Sequence, residues 1–156
     1  MELPVTQDAI RQKALDLLTR RDHTDQEIMQ KLMLRGYSKE AMQPIVQALV
    51  ETGLIDNQRF AENYRHWRAQ KGYGPLRIHQ ELQSRGVSPE IIAEVINMAD
   101  NAWSVDARNL WIKHFKSCSP RDFKECAKQM RFLQYRGYTR EQIEAAINQT
   151  VIPENY

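Results

Sequence analysis

The side chains of this 156-residue sequence with the capacity for chemistry are mostly cations, and what they suit is the binding of anions. Arg65, Arg68, Lys71 and Arg77 surround the short stretch Lys71-Gly72-Tyr73-Gly74-Pro75, and Arg121, Lys124, Lys128 and Arg131 form a second group in the last third of the chain. Arg68, Lys71 and Arg77 flank a Gly-Pro turn expected to be exposed, so they are the first candidates for contact with a partner. Tyr73, inside the turn, is the aromatic expected at the surface. Tyr64 and Trp67 also sit among bases and could stack on nucleobases, but their spacing from Phe60 puts all three on one helical face, which reads as core. Reversing the charge at Arg68, Lys71 and Arg77 together is expected to weaken partner binding and to leave the fold intact.

Nothing in the sequence assembles a catalytic centre. Gly72-Tyr73-Gly74 has neither the preceding strand nor the Lys-Ser or Lys-Thr of a phosphate-binding loop. His23, His66, His79 and His114 are scattered, and the nearest approach to a metal-ligand pair, His114 with Cys118, has no second pair to complete it. The chain is therefore read as a non-enzyme without metal or cofactor. Cys118 and Cys126, the only cysteines, are read as free thiols in a reducing compartment. No apolar leader and no run of more than three apolar residues is present, so the expected location is cytoplasmic.

The elements that position these side chains follow from a repeat. A Leu, an Arg-Gly pair, a hydroxyl residue and a Glu recur as Leu32…Arg35-Gly36-Tyr37-Ser38-Lys39-Glu40, Leu82…Arg85-Gly86-Val87-Ser88-Pro89-Glu90 and Leu133…Arg136-Gly137-Tyr138-Thr139-Arg140-Glu141. Self-similarity at a fixed period means one supersecondary unit strung together. The Gly suits the left-handed position after a helix end, and the Ser or Thr suits the cap of the next helix. Each copy thus holds a helix-Gly-helix corner preceded by a further helix. Ile10, Ala14, Leu17 and Leu18 mark the first helix of copy one, Ala107, Leu110, Trp111 and Phe115 that of copy three. Phe123, Ala127, Met130 and Leu133 are read as the inner face of the middle helix of copy three, which is expected to be about five residues longer than its counterparts. The predicted fold is all-α, an elongated array of three tandem three-helix repeats with about nine helices, divided as 1–53, 54–101 and 102–156.

Charge follows the same period. None of the 22 Lys and Arg residues falls in 40–58, 86–107 or 141–156, the third helices and their exits. An array would then carry a basic side, the footprint of a polyanion or an acidic protein surface.

The second copy is more specific. Gly53-Leu54-Ile55-Asp56-Asn57, Arg59-Phe60-Ala61-Glu62-Asn63-Tyr64, Arg68, Lys71-Gly72-Tyr73-Gly74-Pro75-Leu76-Arg77-Ile78 and Glu81-Leu82 closely resemble the RecX family, regulators of the bacterial RecA recombinase. Arg21-Asp22-His23-Thr24 with Glu27, and Gln134-Tyr135-Arg136-Gly137-Tyr138, resemble it too, and the likeness spans residues 10–148; Asn57 departs, standing where the family usually has a second Asp. The resemblance implies a non-enzymatic regulator in DNA repair, recombination and the SOS response. Such a protein lies in the groove of the RecA filament on single-stranded DNA and lowers its ATPase, strand-exchange and coprotease activities. The implied partner is the RecA filament, with single- or double-stranded DNA as a direct contact, bound by a monomer. Helices of about 14 residues, roughly 20 Å long, can reach between protomers. Two other readings stay open: a helix-turn-helix reader of duplex DNA, and a helical scaffold for another protein.

Overall fold

The computed structural model describes residues 4–115 and 123–148. Among them are nine α-helices and no strand: α1 (Pro4–Arg20), α2 (Asp25–Leu34), α3 (Lys39–Glu51), α4 (Asn57–Gln70), α5 (Pro75–Ser84), α6 (Pro89–Val95), α7 (Ala102–Phe115), α8 (Phe123–Tyr135) and α9 (Arg140–Asn148). They follow one another as three tandem three-helix domains. Arg121 and Cys118 lie outside the described residues.

The three corners share one geometry. Gly36, Gly86 and Gly137 take φ of 89°, 88° and 98°, which costs a residue without Cβ little. In each corner the amide after the glycine reaches back to the leucine carbonyl: Tyr37 to Leu32 at 3.3 Å, Val87 to Leu82 at 3.1 Å and Tyr138 to Leu133 at 3.3 Å. These bonds satisfy carbonyls that the helix end leaves open. The next helix is capped by Ser38, Ser88 or Thr139, whose hydroxyls accept from the amides of Ala41, Ile91 and Gln142.

Packing divides the chain into two units. One holds the described residues through Asn63 together with Leu82–Ile92; the other holds Tyr64–Glu81 and the described residues from Ala93. The helices of the middle repeat are thus shared between the two. In the first unit, Ile10, Ala14 and Leu17 of α1, Ile28 and Leu32 of α2, and Met42, Val46 and Leu49 of α3 form the core. In the second, α7 and α9 contribute Trp103, Ala107, Trp111, Ile143, Ala146 and Ile147, and α8 contributes Leu133.

Two residues read as core are not. Phe123, at the first position of α8, is 90% exposed, and Trp67 is 50% exposed. On α8 the inward position is taken by Gln129, whose amide oxygen accepts from the Trp111 indole N–H at 2.8 Å; a polar side chain serves because it satisfies the buried donor. Helix α8 has 13 residues and α2 and α5 have 10. Within the described residues the excess is therefore three.

Within each unit, the start of a middle helix is seated on the corner of the repeat that follows. In the first unit the Thr24 hydroxyl, at the cap of α2, donates to the Arg85 carbonyl at 2.6 Å. In the second, the Gly74 amide donates to the Arg136 carbonyl at 2.7 Å and the Leu76 amide to the Gly137 carbonyl at 2.9 Å. Gly74 and Pro75 are consequently buried, not the exposed turn the sequence suggested. The helix end supplies acceptors and the arriving helix start supplies donors.

Candidate functional site

Tyr73 is the centre of the basic cluster. The guanidinium carbons of Arg68, Arg77 and Arg136 lie 3.7, 4.7 and 4.8 Å from its ring centroid. A phenol ring surrounded by cations is stabilised through its electron-rich faces. The seating of Gly74 on the third corner is what brings Arg136 to a ring more than sixty positions earlier in the chain. Arg136 also reaches the Lys71 carbonyl at 3.5 Å, and Arg77 donates to the Tyr135 carbonyl at 3.3 Å.

Among the described residues, only one of these cations is neutralised by a carboxylate in direct contact. Arg68 donates to both oxygens of Glu81, at 2.9 and 3.0 Å, and its side chain is 15% exposed. Burial alone would lower the Arg68 pKa, but the Glu81 hydrogen bonds and charge outweigh it and hold it above the ordinary value. The Tyr64 hydroxyl donates to the same carboxylate at 3.3 Å. Arg68, Lys71, Arg77 and Arg136 thus set four cations against one carboxylate. Lys71 and Arg77 are exposed. The cluster can take up an anion through Lys71 and Arg77 while Arg68 and Tyr73 hold the scaffold.

The remaining candidates separate by environment. Arg65 turns inward: its guanidinium lies 4.7 Å from the Trp103 ring and 3.9 Å from an Asp100 oxygen. Lys124, Lys128 and Arg131 are exposed, and their spacing on α8 places them in one stripe. Arg121 lies outside the described residues. Arg136 stands beside Tyr73 because the third corner receives the start of α5, a pairing that no local pattern in the sequence contains. Among the described residues no group of three His, Cys, Asp or Glu side chains is placed to hold a metal ion.

The first unit holds a second charged cluster, built around Glu27. Arg21 donates to both its oxygens at 3.2 and 3.0 Å, Arg85 donates at 2.8 Å, and the Thr24 amide completes the cap at 3.1 Å. Burial would raise the Glu27 pKa, but the Arg21 and Thr24 hydrogen bonds and the charges of Arg21 and Arg85 hold it below the ordinary value. Arg85 thereby ties the second corner to α2.

Known proteins match this chain along almost its whole length. Family models for the first, second and third three-helix domains of RecX match residues 11–49, 56–96 and 106–147. A regulatory protein RecX of Halorhodospira halophila is 42% identical over 145 residues, covering 93% of this chain and 90% of that protein. The one from Pseudomonas savastanoi pv. phaseolicola is 38% identical, covering 90% and 93%. The crystal structure of RecX from Lactobacillus salivarius superposes with a TM-score of 0.82 at 19% identity, over 94% of this chain and 97% of that one.

Proposed function

The chain belongs to the RecX family of regulatory proteins, and from that premise we propose that it binds RecA and its filament on single-stranded DNA. There it inhibits the RecA ATPase, strand exchange and coprotease activity, as a regulator in DNA repair, recombination and the SOS response. The observation that carries this reading is the concentration of exposed cations at Lys71 and Arg77 and along the α8 stripe Lys124, Lys128 and Arg131. A filament of protein on DNA offers phosphates and acidic protein surface to such a pattern, and binding through phosphates falls with salt. The relatives are named as regulators, which accords with a chain that acts by occupancy and not by catalysis.

Co-sedimentation with RecA filaments on single-stranded DNA, at two salt concentrations, tests the reading. Filament-dependent pelleting that weakens at high salt is expected. Recovery in the supernatant at both salts would overturn it.

A further inference from the structure

Among the described residues, two of the three corner glycines carry an arriving helix start and Gly36 does not. Arg85 and Arg136 each receive an arriving helix start on their carbonyl, from the Thr24 hydroxyl and the Gly74 amide. A Cβ on Gly86 would lie 2.4 Å from Gln26, and one on Gly137 2.4 Å from Arg77, both on the arriving helix. The two guanidinium groups are engaged by the same repeats: Arg85 by Glu27 at 2.8 Å, and Arg136 by the Tyr73 ring at 4.8 Å. At the equivalent place in repeat one, none of the described residues lies within 4 Å of a Cβ on Gly36. Among the described residues no donor reaches the carbonyls of Arg35 and Gly36, and no carboxylate pairs with the exposed Arg35. Leu34 beside it is 87% exposed, and Met33 is 55% exposed.

We propose that the Leu34–Gly36 corner is a docking site for the N-terminal end of an α-helix on another protein, one with a donor at its cap and a carboxylate three residues further on. This rests on the function proposed above, so the protein is RecA within its filament. The corner offers what the occupied ones offer. Its carbonyls suit the open N–H and hydroxyl groups of a helix start. The bare Gly36 admits close backbone approach, and Arg35 suits a carboxylate as Arg85 suits Glu27. Leu34 and Met33 add apolar area. A second copy of this chain fits less well. Helix α8, for which no seating on a corner is seen among the described residues, is already helical ten positions before Leu133, whereas α2 and α5 begin seven before Leu32 and Leu82. Its first turn overshoots the register by three residues, about 4.5 Å.

The test compares full-length Leu34→Ser, Arg35→Glu and Arg35→Gln with the parent chain for binding to RecA filaments on single-stranded DNA, binding to the bare DNA, and self-association by sedimentation velocity. Arg35→Gln guards against a Glu disturbing the negative end of α2. With melting temperature unchanged, Leu34→Ser and both Arg35 variants are expected to weaken filament binding about tenfold, and Leu34→Ser to leave bare-DNA binding as it was. Unchanged filament affinity in the variants would overturn the proposal. So would an Arg35 effect of equal size on bare DNA with none from Leu34→Ser, which marks a phosphate contact, or parent self-association abolished by Leu34→Ser, which marks a second copy. A parent chain that does not bind filaments would remove the function proposed above, and this docking with it.

Discussion

The backbone amide of Gly74 donates a 2.7 Å hydrogen bond to the carbonyl of Arg136, and the same approach leaves no room for a side chain: a Cβ on Gly74 would lie 2.5 Å from the carbonyl carbon of Gly137. Backbone meets backbone here, so neither side can rotate away. Gly74→Ala is expected to destabilise the protein by about 1–3 kcal/mol, the range of overpacking a closed contact. Thermal melting checks this, and a variant that melts with the parent chain would refute the close approach.

Glu27 is held by two arginines and is itself 8% exposed. Glu27→Gln keeps the shape but removes the charge, at an expected cost of about 1–3 kcal/mol near neutral pH, with Arg21 and Arg85 partly solvated. Because the folded state holds the Glu27 pKa below its ordinary value, this stabilisation is present above that value and is lost as pH falls through it toward the folded pKa. Urea titrations of both chains at a series of acidic pH values should show the gap between them narrowing. A gap that stays constant would contradict the ion-pair account.

His23 is buried with both ring nitrogens engaged, Nδ1 2.9 Å from the Arg21 carbonyl and Nε2 2.8 Å from the Lys31 ammonium. That arrangement fits the neutral ring, with Nδ1–H donating and Nε2 accepting. Burial is the main cause that lowers its pKa, aided by the charges of Arg21 and Lys31. The unfolded chain therefore takes up a proton before the folded one does, and stability falls as pH drops below the ordinary histidine value of 6.5. The His23→Gln variant should show a flatter dependence of melting temperature on pH in that window. An identical slope would assign the dependence to other groups.

Lys71 and Arg77 are exposed while Arg68 is tied to Glu81. Reversing Lys71 and Arg77 together should weaken filament binding about tenfold or more and change melting little. Arg68→Glu, by contrast, places two carboxylates side by side in a site with little solvent, and melting should fall first. Its ion pair with Glu81 thus sets Arg68 apart from Lys71 and Arg77, and the three reversals are not expected to act alike. Circular dichroism and filament binding measured on the same preparations separate the two effects.

Most of the fold was legible because the corner chemistry is local. Gly36, Gly86 and Gly137, with the hydroxyl residue two positions later, mark each stop and start without reference to the rest of the chain. What was not legible depends on which corner receives which helix. Gly74-Pro75 has the composition of a surface turn and is buried only because it seats on Arg136-Gly137. Phe123 and Trp67 fit helical periodicity, but the period gives a face and not its partner, and Gln129 takes the inward place through a hydrogen bond that no apolar pattern contains. At the site, the positions of the cations were readable and their pairing was not: Arg68 with Glu81 is a 13-residue separation across a turn.

The decisive assay for a filament-directed regulator is the RecA ATPase on single-stranded DNA, with this protein titrated well below one per RecA protomer at two salt concentrations. Strong substoichiometric inhibition that weakens as salt rises is expected. Full ATPase activity at every ratio, with the filaments verified and the RecA taken from the same organism, would contradict it.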